Sequence, residues 1–489
     1  MRNFNLIFSA LSRRRWQIVA GLLYVVIGMA SRAHAYNQPD AAWYLYACQR
    51  ILDGSLDIWS RLGEVWAAPP LGMALTYPPL APLLLAPWVA AGQALGLTET
   101  GLHVLIGLPM LLGDVALAYL FSTSAAYIPG SSPRRMKTSP AGLEALAGQV
   151  VNATTRLNPL GWNGGRRSSE HETRRLVIFL LCLLTFVVPF SSAYMGHHET
   201  FVVLLILLAV RANSLTVSGI FWGLAIAAKQ TAAFAYVPFV LLLLKGAWQE
   251  RRPAFGELLR FALLSVGIPV ALVLPFWLAH PEPARYALLT VESRRELYGL
   301  NVPTLLDAIA RRLIPGSAAA IHALLVRFSS PIFLLLITAT SVVFAMRQRS
   351  VKTSPPCPPL LLGEGESNAP LPLRQAQGRL SQGGGQGVGA PLLAAMGAAF
   401  AAYVVFGKWN DTHYQLMPLM FLLALDLVER PAFPYVYVLF TLAATQFYIL
   451  AEPVSAYWRF LLYVGLLAYF LAKAWVCSRA RHFSEMPGT

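Results

Sequence analysis

Apolar residues in this chain come in long unbroken runs rather than in alternation, and short polar breaks separate them. The runs fall at 17–35, 79–97, 102–128, 176–194, 201–212, 215–228, 232–246, 258–279, 329–346, 391–406, 415–428, 432–450 and 457–476. A bilayer core about 30 Å thick needs roughly 20 apolar residues per straight helix. Only helices satisfy the backbone of such runs in lipid, and a barrel would show alternating segments of roughly ten residues instead. The pattern predicts an all-α, polytopic helical membrane protein with about twelve crossings.

The run 79–97 breaks the rhythm. Pro78, Pro79, Pro82 and Pro87 lie in it or at its edge, and an interior proline removes a helix hydrogen bond and bends the axis. Counting 79–97 and 102–128 as two full crossings would put the basic block 129–175 outside. A bent or re-entrant element that leaves on the side it entered keeps that block in the cytoplasm, where its excess of Lys and Arg belongs.

Charge then fixes the sides. Arg13, Arg14 and Arg15 precede the first run and hold the N-terminus in the cytoplasm. Residues 36–78 form a long first outer loop with amphipathic helices, and Asp40, Asp53, Asp57 and Glu64 outnumber Arg50 and Arg61 there. Parity puts "SSAYMGHHET", "AAKQT", the loop 279–301 and "GKWNDTHYQ" outside, and the basic tail "CSRARH" inside, so both termini are cytoplasmic. The opening "RRRWQIVAGLLYVVIGMASRAHA" has the form of a signal peptide, but its apolar run nears spanning length and reads as a retained anchor.

Composition agrees with a lipid solvent: 56% of the 489 residues are apolar, 12% are charged, and mean hydropathy is +0.54. A net charge of +15 would suggest nucleic acid for a soluble protein. Here the basic residues sit in loops between apolar runs and act as topology signals, so no nucleic-acid partner is expected. Cys48, Cys182, Cys357 and Cys477 are scattered without metal-ligand spacing, and predict neither a disulfide framework nor a metal site.

Two stretches interrupt the membrane parts 1–128, 176–346 and 391–489. Residues 129–175 and 347–390 are rich in Pro, Gly, Ser and Gln, share "KTSP", and read as disordered cytoplasmic insertions.

The ionisable residues expected outside gather on one face: Asp40, Tyr44 and Tyr77, then His197, His198 and Glu199, then Lys229, then Arg294 and Arg295, then Lys408, His413 and Tyr414. Such groups at helix ends mark a site by default, because burying them is costly. A carboxylate among cations suits transfer of a group from an anionic leaving group, the acid taking a proton from an attacking hydroxyl and the cations taking up phosphate charge.

On these residues the chain resembles a known family. "QPDAAWYLYACQRILDG" after the first span, "TYPPLAPLLLAP", "GIFWGLAIAAKQTAAFAYVPFVLLLL", "LPFWLAHPEPARY" and "FGKWNDTHYQLMPLM" follow in an order similar to that of the GT-C glycosyltransferases, the polyprenyl-phosphate-sugar-dependent enzymes that include aminoarabinose and protein mannosyl transferases. The resemblance implies a membrane glycosyltransferase moving a sugar from a polyprenyl-phosphate donor to a hydroxyl of a lipid or glycan acceptor on the extracytoplasmic face. It implies Asp40 as catalytic acid/base, Glu199 as the candidate second catalytic acid, with the choice among His197, His198 and Glu199 left open by the departure from the family's aspartate, and Lys229 and Lys408 as contacts of the donor phosphate. Arg294 and Arg295 join by location. Tyr77 stands where the family has a lysine before Pro-Pro-Leu, and the departure at "GHHET" leaves open whether a divalent cation is held.

Structural roles compete for each residue. Asp40 also fits the cap of a helix starting at Ala41. Trp43, Tyr44 and Tyr46 fit an interfacial aromatic belt. Lys229 fits a snorkelling helix-end lysine, Arg294 and Arg295 fit surface pairs with Glu292 or Glu296, and Asp114 fits a polar contact between helices. A transporter or flippase is the alternative function. It predicts an internal repeat with polar groups near the midplane, and the sequence shows no such repeat.

Overall fold

The computed structural model describes residues 14–34, 39–59, 77–124, 163–185, 188, 198–212, 214–249, 255–290, 297, 299–347, 389–407, 412–430, 433–445 and 454–479. Helices joined by turns make up these residues, and no strand occurs among them. In chain order the helices are α1 (Arg15–His34), α2 (Pro39–Leu52), α3 (Leu80–Ala94), α4 (Glu99–Ser124), α5 (Asn163–Leu184), α6 (Glu199–Arg211), α7 (Leu215–Ala228) and α8 (Ala233–Gln249). They continue as α9 (Phe255–Ala279), α10 (Pro281–Arg285), α11 (Val302–Leu313), α12 (Ala318–Arg347), α13 (Gly389–Phe406), α14 (Leu416–Glu429), α15 (Tyr435–Thr445) and α16 (Val454–Arg479).

Five helical stretches are long and apolar enough to cross a membrane: Arg15–His34, Glu99–Thr123, Phe255–Ala279, Pro315–Met346 and Tyr457–Val476. Their outward faces carry large apolar side chains, such as Leu22 and Val26 on α1 and Leu263 and Val266 on α9, as lipid contact demands. Shorter apolar helices, α3 and α7 among them, pack between these.

Side-chain contacts give the relative direction of the helices. Gln17 near the start of α1 donates to Ser122 near the end of α4 (3.1 Å), while Arg32 in the last turn of α1 donates to the carbonyl of His103 near the start of α4 (2.7 Å). The two helices therefore run opposite ways, and the chain between them, α2 and α3 included, leaves and returns at the same end. Helix α3 is 15 residues long with Pro87 inside it, about 22 Å at 1.5 Å per residue. Asp114, midway along α4, accepts the Tyr24 hydroxyl of α1 (2.6 Å), the interhelical contact expected of a buried acid.

Helices α7 and α9 run parallel and very close. A Cβ on Gly219 would lie 2.9 Å from the Phe261 carbonyl oxygen, and one on Gly223 2.6 Å from that of Leu264. Two small residues four apart let membrane helices approach this nearly. Lys245 of α8 donates to the carbonyls of Ala345 and Met346 at the end of α12, so these two helices also finish together.

Three expectations are corrected. Helix α5 begins at Asn163, so residues 163–175 of the block expected to be disordered are helical. Its Glu and Arg residues are helix formers. Helix α12 starts at Ala318, well before 329, and α11 was not foreseen. Residues 129–162 and 348–388 lie outside the described residues.

Candidate functional site

Five separate segments deliver side chains to one place at the end of the bundle where α1 finishes. The first is α2. Its start at Pro39 uses a residue whose missing N–H costs nothing at a helix N-terminus, and it ends at a left-handed Gly54 (φ +75°), where the N–H groups of Gly54 and Ser55 close back on the carbonyls of Ile51 and Arg50. The chain then turns so that Trp59 stacks edge-on against Phe276 of α9 (6.0 Å) and Asp57 approaches His280 (3.9 Å). Fastened this way, α2 aims Tyr44 into the interior, where it is fully buried.

The second segment is Tyr77, held by the two prolines that open α3. The third is the first turn of α6, with His198 at its cap and Glu199 just inside. The fourth is Lys229, the single extended residue between α7 and the 3₁₀ turn Gln230–Ala232 that leads into α8. The fifth is Tyr414, in the turn Thr412–Gln415 that opens α14.

At the centre, the ammonium of Lys229 donates to Glu199 Oε1. Both are closed off from the surface, at 1% and 0% exposure. Burying each charge costs several kcal/mol, and good geometry with further contacts is needed to offset that cost. Those contacts are present. The ammonium lies 4.6 Å from the centre of the Tyr77 ring and 4.7 Å from that of Tyr414, and 3.4 Å from the Tyr77 hydroxyl. A cation over two desolvated aromatic faces gains about 2 kcal/mol from each.

Beside this pair, His198 bridges two segments. Its Nε2 lies 2.9 Å from the Ala228 carbonyl oxygen and its Nδ1 2.7 Å from the Tyr44 hydroxyl. A carbonyl only accepts, so Nε2 carries a proton, and in the neutral ring Nδ1 accepts from Tyr44. Tyr44 and Tyr77 stack at 6.3 Å, and His198 sits edge-on to both, 5.8 and 5.1 Å away.

The site is recessed. Phe201, two residues past Glu199, packs against Gly113 of α4, whereas Arg32 at the end of α1 packs over Gly107. Six residues of helix separate the two levels, about 9 Å.

Of the residues expected from sequence, Tyr44, Tyr77, His198, Glu199, Lys229 and Tyr414 meet here. The backbone of Asp40 is in the first turn of α2, one helical turn, about 6 Å of rise, before Tyr44. Asp40 is thus inside the helix rather than its cap, and its side chain lies outside the described part, as does that of His413. His197, Arg294, Arg295 and Lys408 lie outside the described residues. Trp43 is buried, not an interfacial anchor. Lys229, with 1% exposure, does not snorkel.

Sequence reasoning missed Arg32. It is buried, and a Cβ on Gly107 would lie 2.3 Å from its Cδ, so the glycine makes room for it. It is near enough to Tyr44 for the two to interact electrostatically. The signal was a basic residue in the last turn of an otherwise apolar first helix.

Among the described residues no group of three or more His, Cys, Asp or Glu is arranged to hold a metal ion. Glu199 is engaged by Lys229, and His198 by Tyr44 and Ala228. No protein-family model matches the chain, and no curated protein matches it.

Proposed function

We propose that this chain is a multi-pass membrane glycosyltransferase that moves a sugar from a polyprenyl-phosphate donor to an acceptor hydroxyl on the extracytoplasmic face. The observation that carries the reading is the convergence of Tyr44, Tyr77, His198, Glu199, Lys229 and Tyr414 from five segments into one recessed cluster. Glu199 and Lys229 are positions on which the resemblance to GT-C enzymes falls, and the other four lie in or beside the stretches that carry it, with Tyr77 standing where the family has a lysine.

About twelve crossings with both termini cytoplasmic fit this reading. The opposed directions of α1 and α4 support a re-entrant α2–α3 segment, and the basic residues before α1 support an outer position for the cluster.

In the reaction, Asp40 takes the proton of the acceptor hydroxyl. The acceptor oxygen bonds to the anomeric carbon, the bond from that carbon to the phosphate oxygen breaks, and its electron pair leaves with the phosphate. Direct displacement inverts the anomeric centre. Lys229 takes up charge on the departing phosphate. Tyr44, one turn from Asp40 and bonded to His198, holds α2 against the ends of α6 and α7.

Purified protein in vesicles, given a panel of polyprenyl-phosphate sugars and hydroxyl acceptors, is expected to transfer one sugar. Asp40→Asn should lower that transfer at least about 10²-fold, the usual share of a general base. Unchanged transfer removes Asp40 from the mechanism.

One observation favours a second reading: a fully buried acid–lysine pair within a helical bundle is also what a transporter uses. Solute movement in liposomes with no donor consumed would establish the transporter instead.

A further inference from the structure

Lys229 has three N–H donors and no more, and in this structure it is already neutralised. Glu199 takes one donor, the Tyr77 hydroxyl another, and two tyrosine rings cover the ammonium. The third donor is shut in by those rings and by burial, at 1% exposure, so a phosphate reaches this nitrogen only if one of the groups around it moves. Glu199 is also the first residue of α6, whose cap residue His198 contributes no side-chain cap, so its carboxylate occupies the positive end of the helix as well as the lysine. Two further hydroxyls, Thr200 beside Glu199 and Thr231 two residues past Lys229, are buried with no hydrogen-bond partner among the described residues.

We infer that the Glu199 carboxylate is a place-holder for a phosphate anion, and that a prenyl phosphate binds by exchanging with it on Lys229. This rests on the reading of Lys229 as a phosphate contact and adds the means by which that contact is made. The exchange is balanced in charge. A sugar phosphodiester carries one negative charge, as a carboxylate does, so the enclosed cation keeps one counter-anion throughout, and no bare charge is left in a low-dielectric site. Tyr77 and Tyr414 keep the ammonium in place while its partner changes. The displaced carboxylate remains at the first turn of α6, where the helix end still favours an anion.

The test is direct binding of farnesyl phosphate to the full-length protein in nanodiscs, below pH about 6 where this monoester carries mainly the single charge of the phosphodiester, with inorganic phosphate and farnesol as separate arms. Wild type should bind farnesyl phosphate, and Lys229→Met should lose that binding. Glu199→Gln should bind at least about tenfold more tightly, because the competitor is gone. Glu199→Asp, which keeps the charge but shortens its reach, should fall between and serves if the Gln variant does not fold. Farnesol should show no dependence on either residue. Inorganic phosphate binding with the same ranking would make the headgroup alone the ligand. Unchanged or weaker binding in both Glu199 variants, with Lys229→Met still defective, overturns the exchange and leaves the phosphate role of Lys229 standing. Absence of prenyl-phosphate binding by wild type and by every variant overturns both.

Discussion

Two acids of this protein are fully buried near opposite ends of α14, and they are held in different ways. Asp426, near the end of that helix, gives one oxygen to Arg430 (2.8 Å) and the other to the backbone N–H groups of Val436 (2.7 Å) and Tyr437 (3.1 Å) at the start of α15. Its cation is 42% exposed, so the pair keeps contact with solvent or headgroups. Glu199 meets Lys229 beside Tyr414, just before α14 begins, and that cation is itself enclosed. The first acid is tied to backbone that no ligand can replace. The second is balanced by a side chain on a different segment, an arrangement able to change partners. Burial alone does not mark a functional carboxylate; the identity of what it holds does.

Double substitutions separate the two cases, and here the largest effects are expected. Lys229→Met leaves the Glu199 carboxylate buried without its ammonium and should cost about 3 to 5 kcal/mol. Adding Glu199→Gln should restore most of that, since replacing both partners of a buried pair is often nearly neutral. Asp426→Ala should cost about 3 kcal/mol, because two backbone N–H groups lose their acceptor. Adding Arg430→Ala should restore none of it. Reversible unfolding in detergent measures all four. Recovery in the Asp426 pair, or none in the Glu199 pair, would erase the distinction.

A smaller effect should come from the seat of Lys229. Helix α7 carries that lysine at its end and rests on α9 through Gly219 and Gly223. The nearest atoms to an added Cβ are backbone oxygens, which cannot turn aside, so Gly223→Ala should push α7 away and cost about 1 to 3 kcal/mol. Gly267→Ala on α9, where nothing lies within 4 Å of the added carbon, should instead be neutral or stabilising. Equal costs at the two glycines would mean that α7 and α9 are not so close.

Much of this was legible in the chain. The apolar runs match the helix bounds to within a few residues for α6, α7, α9, α13 and α14, because a short polar break between long apolar runs leaves few alternatives. Tyr44, Tyr77, His198, Glu199, Lys229 and Tyr414 were legible as a set because polar and aromatic residues at apolar helix ends stand out. Other features were hidden. Arg32 depends on Gly107, across the bundle, for its space. Asp426 and Lys229 each stand toward the end of an apolar run; Arg430, one turn on, offers Asp426 a partner in sequence, whereas the partner of Lys229 lies thirty residues away. Helix α11 is amphipathic rather than apolar, so a search for spanning runs passes over it.

That helix supplies the smallest and sharpest test of how a carboxylate is held. Asn301 and Thr304 form a reciprocal capping box at its start. Asp307 then accepts from Arg311 on the next turn (2.9 Å) and lies 3.1 Å from His322 of α12, joining the two helices. Burial by itself would raise the Asp307 carboxyl, but the hydrogen bonds from Arg311 and His322, helped by their charges, outweigh it and hold the group below its ordinary value of 3.8. A carboxyl lowered on folding adds stability that is complete above its unfolded pKa and is lost as pH falls through the folded one. The α11–α12 link should therefore be at full strength above pH about 4 and weaken below it. Since Arg311 is 60% exposed, the total should not exceed about 1 kcal/mol. Hydrogen exchange along α11, followed from pH 6 down to pH 3, should show protection falling in wild type and a flatter profile in Asp307→Asn. A wild-type profile as flat as that of the variant would show that the capping box, and not the acid, holds α11 in place.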